Sequence, residues 1–232
     1  MLPSSTGHRA VVDSFEALLR HPLRDGVNAV CWPRTLEGDF AEVAQLLAPP
    51  SGLTSVDAGM LRSLCLSPAG RVAANAMLED LRTLDALGFQ PELNCVASYE
   101  EDDRGLPIST DVMSFHVDRS PVEIETWVCT YWGKSSEGLD NGEATRLIDT
   151  PHIRAALLQQ HGGNDDDTFD AFLREGSFDL HYGAMDGAQP FLFGTGHLWR
   201  IAVEWPGSPV PPCIHRAPRT QAGDAPRLLL LC

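Results

Sequence analysis

Glu123-Ile124-Glu125-Thr126-Trp127-Val128-Cys129-Thr130-Tyr131-Trp132 decides the fold. Residues two apart on a strand share a face. Ile124, Thr126, Val128 and Thr130 therefore line one side, and Glu123, Glu125, Trp127, Cys129 and Tyr131 the other. This period-two alternation is the signature of a strand. Upstream of it the period is different. Residues 11–21 carry an apolar stripe at Val12, Phe15, Leu18 and Leu19, acids early and Arg20 late, and Pro22 stops the run. That pattern predicts a helix. Residues 35–47, with Phe40, Val43, Leu46 and Leu47, predict a second helix. Residues 70–87, with Val72, Met77, Leu81 and Leu84 inward, predict a third. A short strand is expected at 28–32, ended by Pro33.

From Asn94 onward strands dominate. Segments 95–99, 113–117, 144–148, 197–204, 212–216 and 228–231 join the quoted stretch, separated by glycines, prolines and acidic turns. Helices followed by many short strands predict an α+β fold, with helices bracing one β unit. No repeat or low-complexity linker divides the chain. A single domain over 1–232 is expected, with a mainly helical layer at 1–92 and a β core at 93–232. Residues 151–187 interrupt that core as an insert. The insert contains two short helix candidates, the apolar Phe169, Phe172, Leu173 and Phe178, and the acidic turn Asp165-Asp166-Asp167. Disordered loops are poor in aromatics. The segment is therefore expected either as a lid packed over the site or as a helical insert packed away from it, with the acidic turn in water.

The 232 residues fit one large domain, with 43% hydrophobic and 21% charged residues as in ordinary globular proteins. A formal charge of -15 disfavours nucleic acid and anionic membrane as partners. The six cysteines, Cys31, Cys65, Cys95, Cys129, Cys213 and Cys232, form no C-x-x-C or zinc-ribbon pattern. They read as reduced and structural. Together with an opening Met1 to Gly7 that lacks a basic region and an apolar run, this predicts a cytoplasmic location.

Three residues carry the chemistry. His116 and Asp118 form an H-x-D step in a strand-like segment, and His215 lies in a distant one. With 8 histidines and 32 acids in the chain, about one such step arises by chance. The weight therefore rests on context. On a strand His116 and Asp118 point the same way. Two imidazoles and a carboxylate make a facial triad that leaves one face of an iron(II) ion open. Arg227 follows His215 by about a dozen residues and offers a planar fork for a carboxylate.

The ordered set His116, Asp118, His215 and Arg227 resembles the iron(II)- and 2-oxoglutarate-dependent oxygenases over the C-terminal three-fifths of the chain. A closer resemblance is to an uncharacterised cupin-like bacterial family of unknown function. It lies in Val27 to Arg34, Phe115-His116-Val117-Asp118, Cys129-Thr130-Tyr131-Trp132-Gly133 and His215-Arg216-Ala217-Pro218. The resemblance implies a double-stranded β-helix (jelly-roll, cupin-like) core with the N-terminal helices outside. It implies Fe(II) on His116, Asp118 and His215, with 2-oxoglutarate as co-substrate and its far carboxylate on Arg227. It also implies an oxidoreductase, a dioxygenase that consumes O2 and hydroxylates, desaturates or cyclises a small molecule such as an amino acid. The family's arginine is often followed two residues on by a serine or threonine, and here Leu229 stands there. Thr130, Tyr131 and Tyr99 are the candidate replacement hydroxyls. Arg200 and Arg146 are alternative anchors, Arg216 is expected on the opposite face of its strand from His215, and His181 is a candidate pocket residue. Trp127 and Tyr131 are candidates to cover the substrate. Two other readings stay open: a metal-binding cupin-like protein without 2-oxoglutarate, and a dioxygenase that needs no keto acid.

Overall fold

The computed structural model describes residues 7–221 and 223–232. Residues 1–6, which carry most of the opening segment read for a leader, lie outside the described residues. The chain runs β1 (Arg9–Val11), α1 (Phe15–Arg20), β2 (Ala29–Trp32), α2 (Phe40–Leu47), β3 (Leu53–Val56), α3 (Ala58–Ser63), α4 (Pro68–Ala86) and β4 (Glu92–Val96). It continues through β5 (Glu125–Trp132), β6 (Glu137–Leu139), β7 (Ala144–Arg146), α5 (Pro151–His161) and α6 (Asp167–Glu175). The last elements are β8 (Tyr182–Ala184), β9 (Phe191–Leu192), β10 (Leu198–Ala202), β11 (Ile214–Arg216) and β12 (Arg227–Leu231).

The architecture is mixed α/β around a large sheet of order β1-β2-β10-β5-β12-β4-β3. Every junction is antiparallel except β1–β2. A three-stranded sheet, β11-β6-β9, and the pair β7-β8 complete it.

The alternation in β5 sorts two cores. Trp127, Cys129 and Tyr131 face the helices, packed with Leu18, Val43, Met77 and Leu84. Val128, between them, faces the other way with Phe193, Trp199 and Cys213. In β12, Leu228 and Leu230 join the helical side, while Leu229 joins the second cluster. The central strands are thus apolar on both faces, as a sheet covered on both sides requires.

Several boundaries differ from expectation, each for a local reason. The stretch expected as one helix over 11–21 splits. Arg9–Val11 pairs with β2 as an edge strand, and Ser14 then caps α1 by accepting from the Ala17 N–H at 3.2 Å. α2 starts at Phe40 because Asp39 caps it, accepting from the Glu42 N–H at 2.9 Å. Just before it, Gly38 has φ +118°, and a Cβ there would stand 2.4 Å from the Ala73 backbone nitrogen. This close approach makes Ala73 the inward residue of α4 and leaves Val72 exposed, where Val72 was expected inside. The 113–117 stretch forms no strand of its own, only bridges from His116 to His181 and His215.

A buried ion pair pins the helical layer to the sheet. Arg34, after β2, makes two hydrogen bonds to the Asp80 carboxylate of α4, at 2.7 and 2.8 Å. The Tyr131 hydroxyl donates to the same carboxylate at 2.7 Å. Removing one partner of such a pair leaves an uncompensated buried charge. Asp80→Ala is therefore expected to destabilise the protein by about 3–5 kcal/mol, read as a lower denaturant midpoint in equilibrium unfolding.

Candidate metal centre

His116, Asp118 and His215 come together, each offering one ligand atom, with all three atoms within 4.8 Å of one another. Two main-chain hydrogen bonds join the segments that carry the histidines. His116 N–H donates to His215 O and His215 N–H donates to His116 O, both at 2.9 Å. A residue pair bonded this way presents its side chains on one face, and the two imidazole centroids stand 4.6 Å apart. Asp118 is held by the Glu204 N–H, which donates to its carbonyl at 2.8 Å. His116 and Asp118 thus keep the strand geometry expected of the H-x-D step without belonging to a continuous strand.

Neighbours aim the ligand atoms. His116 Nδ1 lies 2.8 Å from Ser114 O, and His215 Nδ1 lies 3.2 Å from Cys213 O. A ring that donates through Nδ1 leaves its Nε2 lone pair for a metal. His215 Nε2 sits 3.8 Å from Asp118 Oδ2. The Thr126 hydroxyl donates to that same oxygen at 2.6 Å, from the face of β5 predicted by its alternation. Burial, and then the adjacent His215, lower the His116 pKa from the ordinary 6.5 to about 4. Burial pushes Asp118 up, but His215, Thr126 and His116 outweigh it and hold the carboxyl below its usual range. A neutral imidazole at His116 beside an ionised carboxylate is the protonation state that binds a divalent ion.

A cavity of about 340 Å³ runs from the triad to Arg227, along Thr126, Val128, Ser136 and Leu229. Arg227 is 2% exposed. Its Nη1 donates to the Tyr99 hydroxyl at 2.6 Å, and its Nη2 donates to Thr130 Oγ1 at 2.9 Å and Ser136 Oγ at 2.6 Å. Its Nε is buried without a partner. Among the described residues no carboxylate pairs with this guanidinium. Burial lowers its pKa, against the pull of Tyr99.

The other sequence candidates divide. Thr130 is on the cavity face, with its hydroxyl engaged by Arg227. Tyr131 is corrected: neighbours on a strand face opposite ways, and its hydroxyl reaches Asp80 on the helical side, so it neither holds a ligand at the triad nor covers one. Trp127 packs on that helical side too. Arg200 is excluded as an anchor. It donates to the carbonyls of Leu19 and His21 and pairs with Glu125 at 3.3 Å, and it shares a face with the helices. Arg216 turns from the metal side to Glu137, at 2.7 Å, as its position next to His215 requires. Ser136 was missed, since the Ser135-Ser136 pair after a glycine reads only as a turn.

A second, wider cleft of about 910 Å³ opens on the other side of His116 and Asp118, bordered by Arg119, Arg146, Arg174, Asp179, His181 and Glu204. The insert supplies part of its wall. The apolar insert residues do not lie over the mouth. Phe169, Leu173 and Phe178 form a core of their own with Ile108, Ile148 and Leu157. In the acidic turn, Asp166 caps α6, and Asp165 pairs with Arg154.

Comparison with protein-family models finds no match, and comparisons with curated proteins and with solved structures find none either. Among the described residues no helix is long and apolar enough to cross a membrane.

Two outcomes follow from this geometry. His215→Ala should lose most of its affinity for a divalent ion while keeping the fold, checked by metal analysis beside circular dichroism. The unfolded chain protonates His116 near 6.5 and the folded chain only near 4. Between those values the unfolded state binds more protons, so stability of the metal-free protein falls as pH drops through this window. In His116→Gln the slope of unfolding free energy against pH should be shallower there, measured by denaturant titration at a series of pH values.

Proposed function

We propose that this protein is a non-haem iron(II) oxygenase that uses 2-oxoglutarate and O2 to oxidise a small molecule. The observation that carries the reading is Arg227, a buried guanidinium without an acid partner, on the wall of the cavity that also holds the triad. A buried cation without a counter-charge is costly and favours a ligand that brings one. A dicarboxylate with a keto acid at one end suits a metal face at one end of a cavity and a guanidinium at the other.

The order of strands supports a double-stranded β-helix for this core. From β4 onward the chain passes back and forth between the two larger sheets: β4 in the large one, His116 beside β11, β5 large, β6 and β9 both small with the β7-β8 pair between them, β10 large, β11 small, β12 large. Seven strands and the His116 bridge, shared between two sheets in this order, favour a jelly-roll reading.

In this reading His116, Asp118 and His215 hold iron(II), and Arg227, Tyr99, Thr130 and Ser136 hold the far carboxylate. The bound metal with its co-substrate and oxygen would supply the oxidising power for hydroxylation, desaturation or ring closure. The protein's part is placement. Ser114 and Cys213 carbonyls fix the imidazole tautomers, and Thr126 fixes the Asp118 carboxylate. Val128, Leu229 and Leu231 line the chamber with apolar surface, which restricts water around the charged groups. The three hydroxyls on Arg227 leave a second reading, a metal-binding protein without keto-acid chemistry, in which they alone satisfy the guanidinium.

The two part in one experiment. Anaerobic addition of 2-oxoglutarate to the iron(II) protein should give a visible metal-to-ligand charge-transfer band, and admission of air should release succinate. Absence of the band with iron in place would leave the second reading. Arg227→Gln should keep its iron but bind 2-oxoglutarate more weakly by about 2–5 kcal/mol, read from titration of the band.

A further inference from the structure

The wider cleft on the other side of His116 and Asp118 contains more charge than a passage for a neutral molecule needs. Its acids are engaged. Asp179 and Glu204 both pair with Arg119, at 2.5 and 3.3 Å. Asp111 accepts from the Ser109 hydroxyl at 2.7 Å and from the Met113 and Ser114 N–H groups at 3.0 Å. Two of its cations have no such partner. Among the described residues no carboxylate lies within ion-pair distance of Arg146 or Arg174.

Arg146 is fixed in place. Its Nε and Nη2 both donate to the carbonyl of Asp179, at 3.2 and 2.9 Å, which leaves Nη1 without a partner among the described residues. A carbonyl orients the fork but does not neutralise its charge. His181, on the same wall, is held in the same manner, with Nδ1 2.8 Å from Ser177 O. Its Nε2 then carries the lone pair and stands beside the arginines as an acceptor, not as an anion donor. Ser177 stands at φ +57°, a left-handed conformation that a serine rarely adopts. The return of the insert, residues 177–181, thus supplies both carbonyls and His181 itself.

We propose that Arg146 Nη1 and Arg174 form an anion subsite in this cleft, and that the substrate of the reaction proposed above bears a carboxylate that docks there. This inference rests on that reading only for the word substrate. The subsite itself is defined by residues that neither ligate the metal nor line the Arg227 chamber. A guanidinium donor fixed by a carbonyl suits one carboxylate better than a neutral amide. The chain's charge of -15 repels anions in general, so any preference for one must arise locally.

The test uses benzoate and benzamide, nearly equal in shape and differing in charge, with metal-free ¹⁵N-labelled protein. Benzoate is expected to shift the amide resonances of residues 146–147 and 177–182 saturably. Benzamide should bind about tenfold more weakly or worse. Arg146→Gln should weaken benzoate by about tenfold, and Arg146→Lys should restore part of the loss. Arg174 is exposed on α6, so Arg174→Gln cannot be dismissed as a folding defect, and it too should weaken binding. Equal affinity for both probes overturns the proposal, as does failure of both to bind. Benzoate shifts confined to β12 around Arg227, or unchanged affinity in both glutamine variants, would also overturn it. No metal or keto acid enters this titration. Its failure would leave the iron chemistry standing, and absence of the charge-transfer band would leave the anion subsite standing.

Discussion

The reciprocal pair of main-chain hydrogen bonds between His116 and His215 is the constraint on which the site depends. Neither residue's neighbourhood is rigid by itself. The segment around His116 forms no strand, and β11 is only Ile214–Arg216. Each is fixed by contacts from far along the chain. Phe115 O accepts from the Tyr182 N–H at 2.8 Å, and the Val117 N–H donates to Leu180 O at 3.1 Å. Asp118, β6 and the insert's return strand β8 are then arranged around that pair. A ligand set assembled from separate segments and held by backbone has its geometry in place before any ion arrives, which is what tight metal binding demands.

Much of this was legible in the sequence, and the limits have physical causes. The period-two rule put Thr126 and Val128 on one face of β5 and Arg216 on the opposite face from His215, but it did not say which face of β5 meets the site. The same rule, applied strictly, separates Thr130 from Tyr131, since adjacent strand residues cannot share a face. The residue types in His116, Asp118 and His215 were enough to mark a candidate triad. The strand that was to display the first two does not exist as a continuous element, yet the bridges to His181 and His215 preserve its local geometry. β6, β8 and β9 are too short to show a period. The aromatic content of the insert predicted order correctly, but composition does not say what an apolar residue packs against. Phe169, Leu173 and Phe178 chose each other and Ile108 rather than the site.

Arg227 and Arg34 show two ways of burying a guanidinium. Arg34 meets a carboxylate, Asp80, and joins helix to sheet. Among the described residues Arg227 meets only hydroxyls, from Tyr99, Thr130 and Ser136. Hydroxyls satisfy donors but bring no opposite charge, so the guanidinium's own charge is left unbalanced in a poorly polarisable setting. The first arrangement reads as structural and the second as receptive. The difference lies in the partner, since the two side chains are chemically identical.

The insert has its own hydrophobic cluster, separate from those that flank the large sheet. A unit that is cohesive in itself and joined to the rest by a limited seam can open or be rebuilt as a unit. Its return segment forms one wall of the outer cleft, while Asp118, His215 and Arg227 sit on the framework beneath. Exchange of residues 151–176 for a different helical pair would therefore reshape the wall of the outer cleft while leaving Leu180 O, which holds the Val117 N–H beside His116, in place.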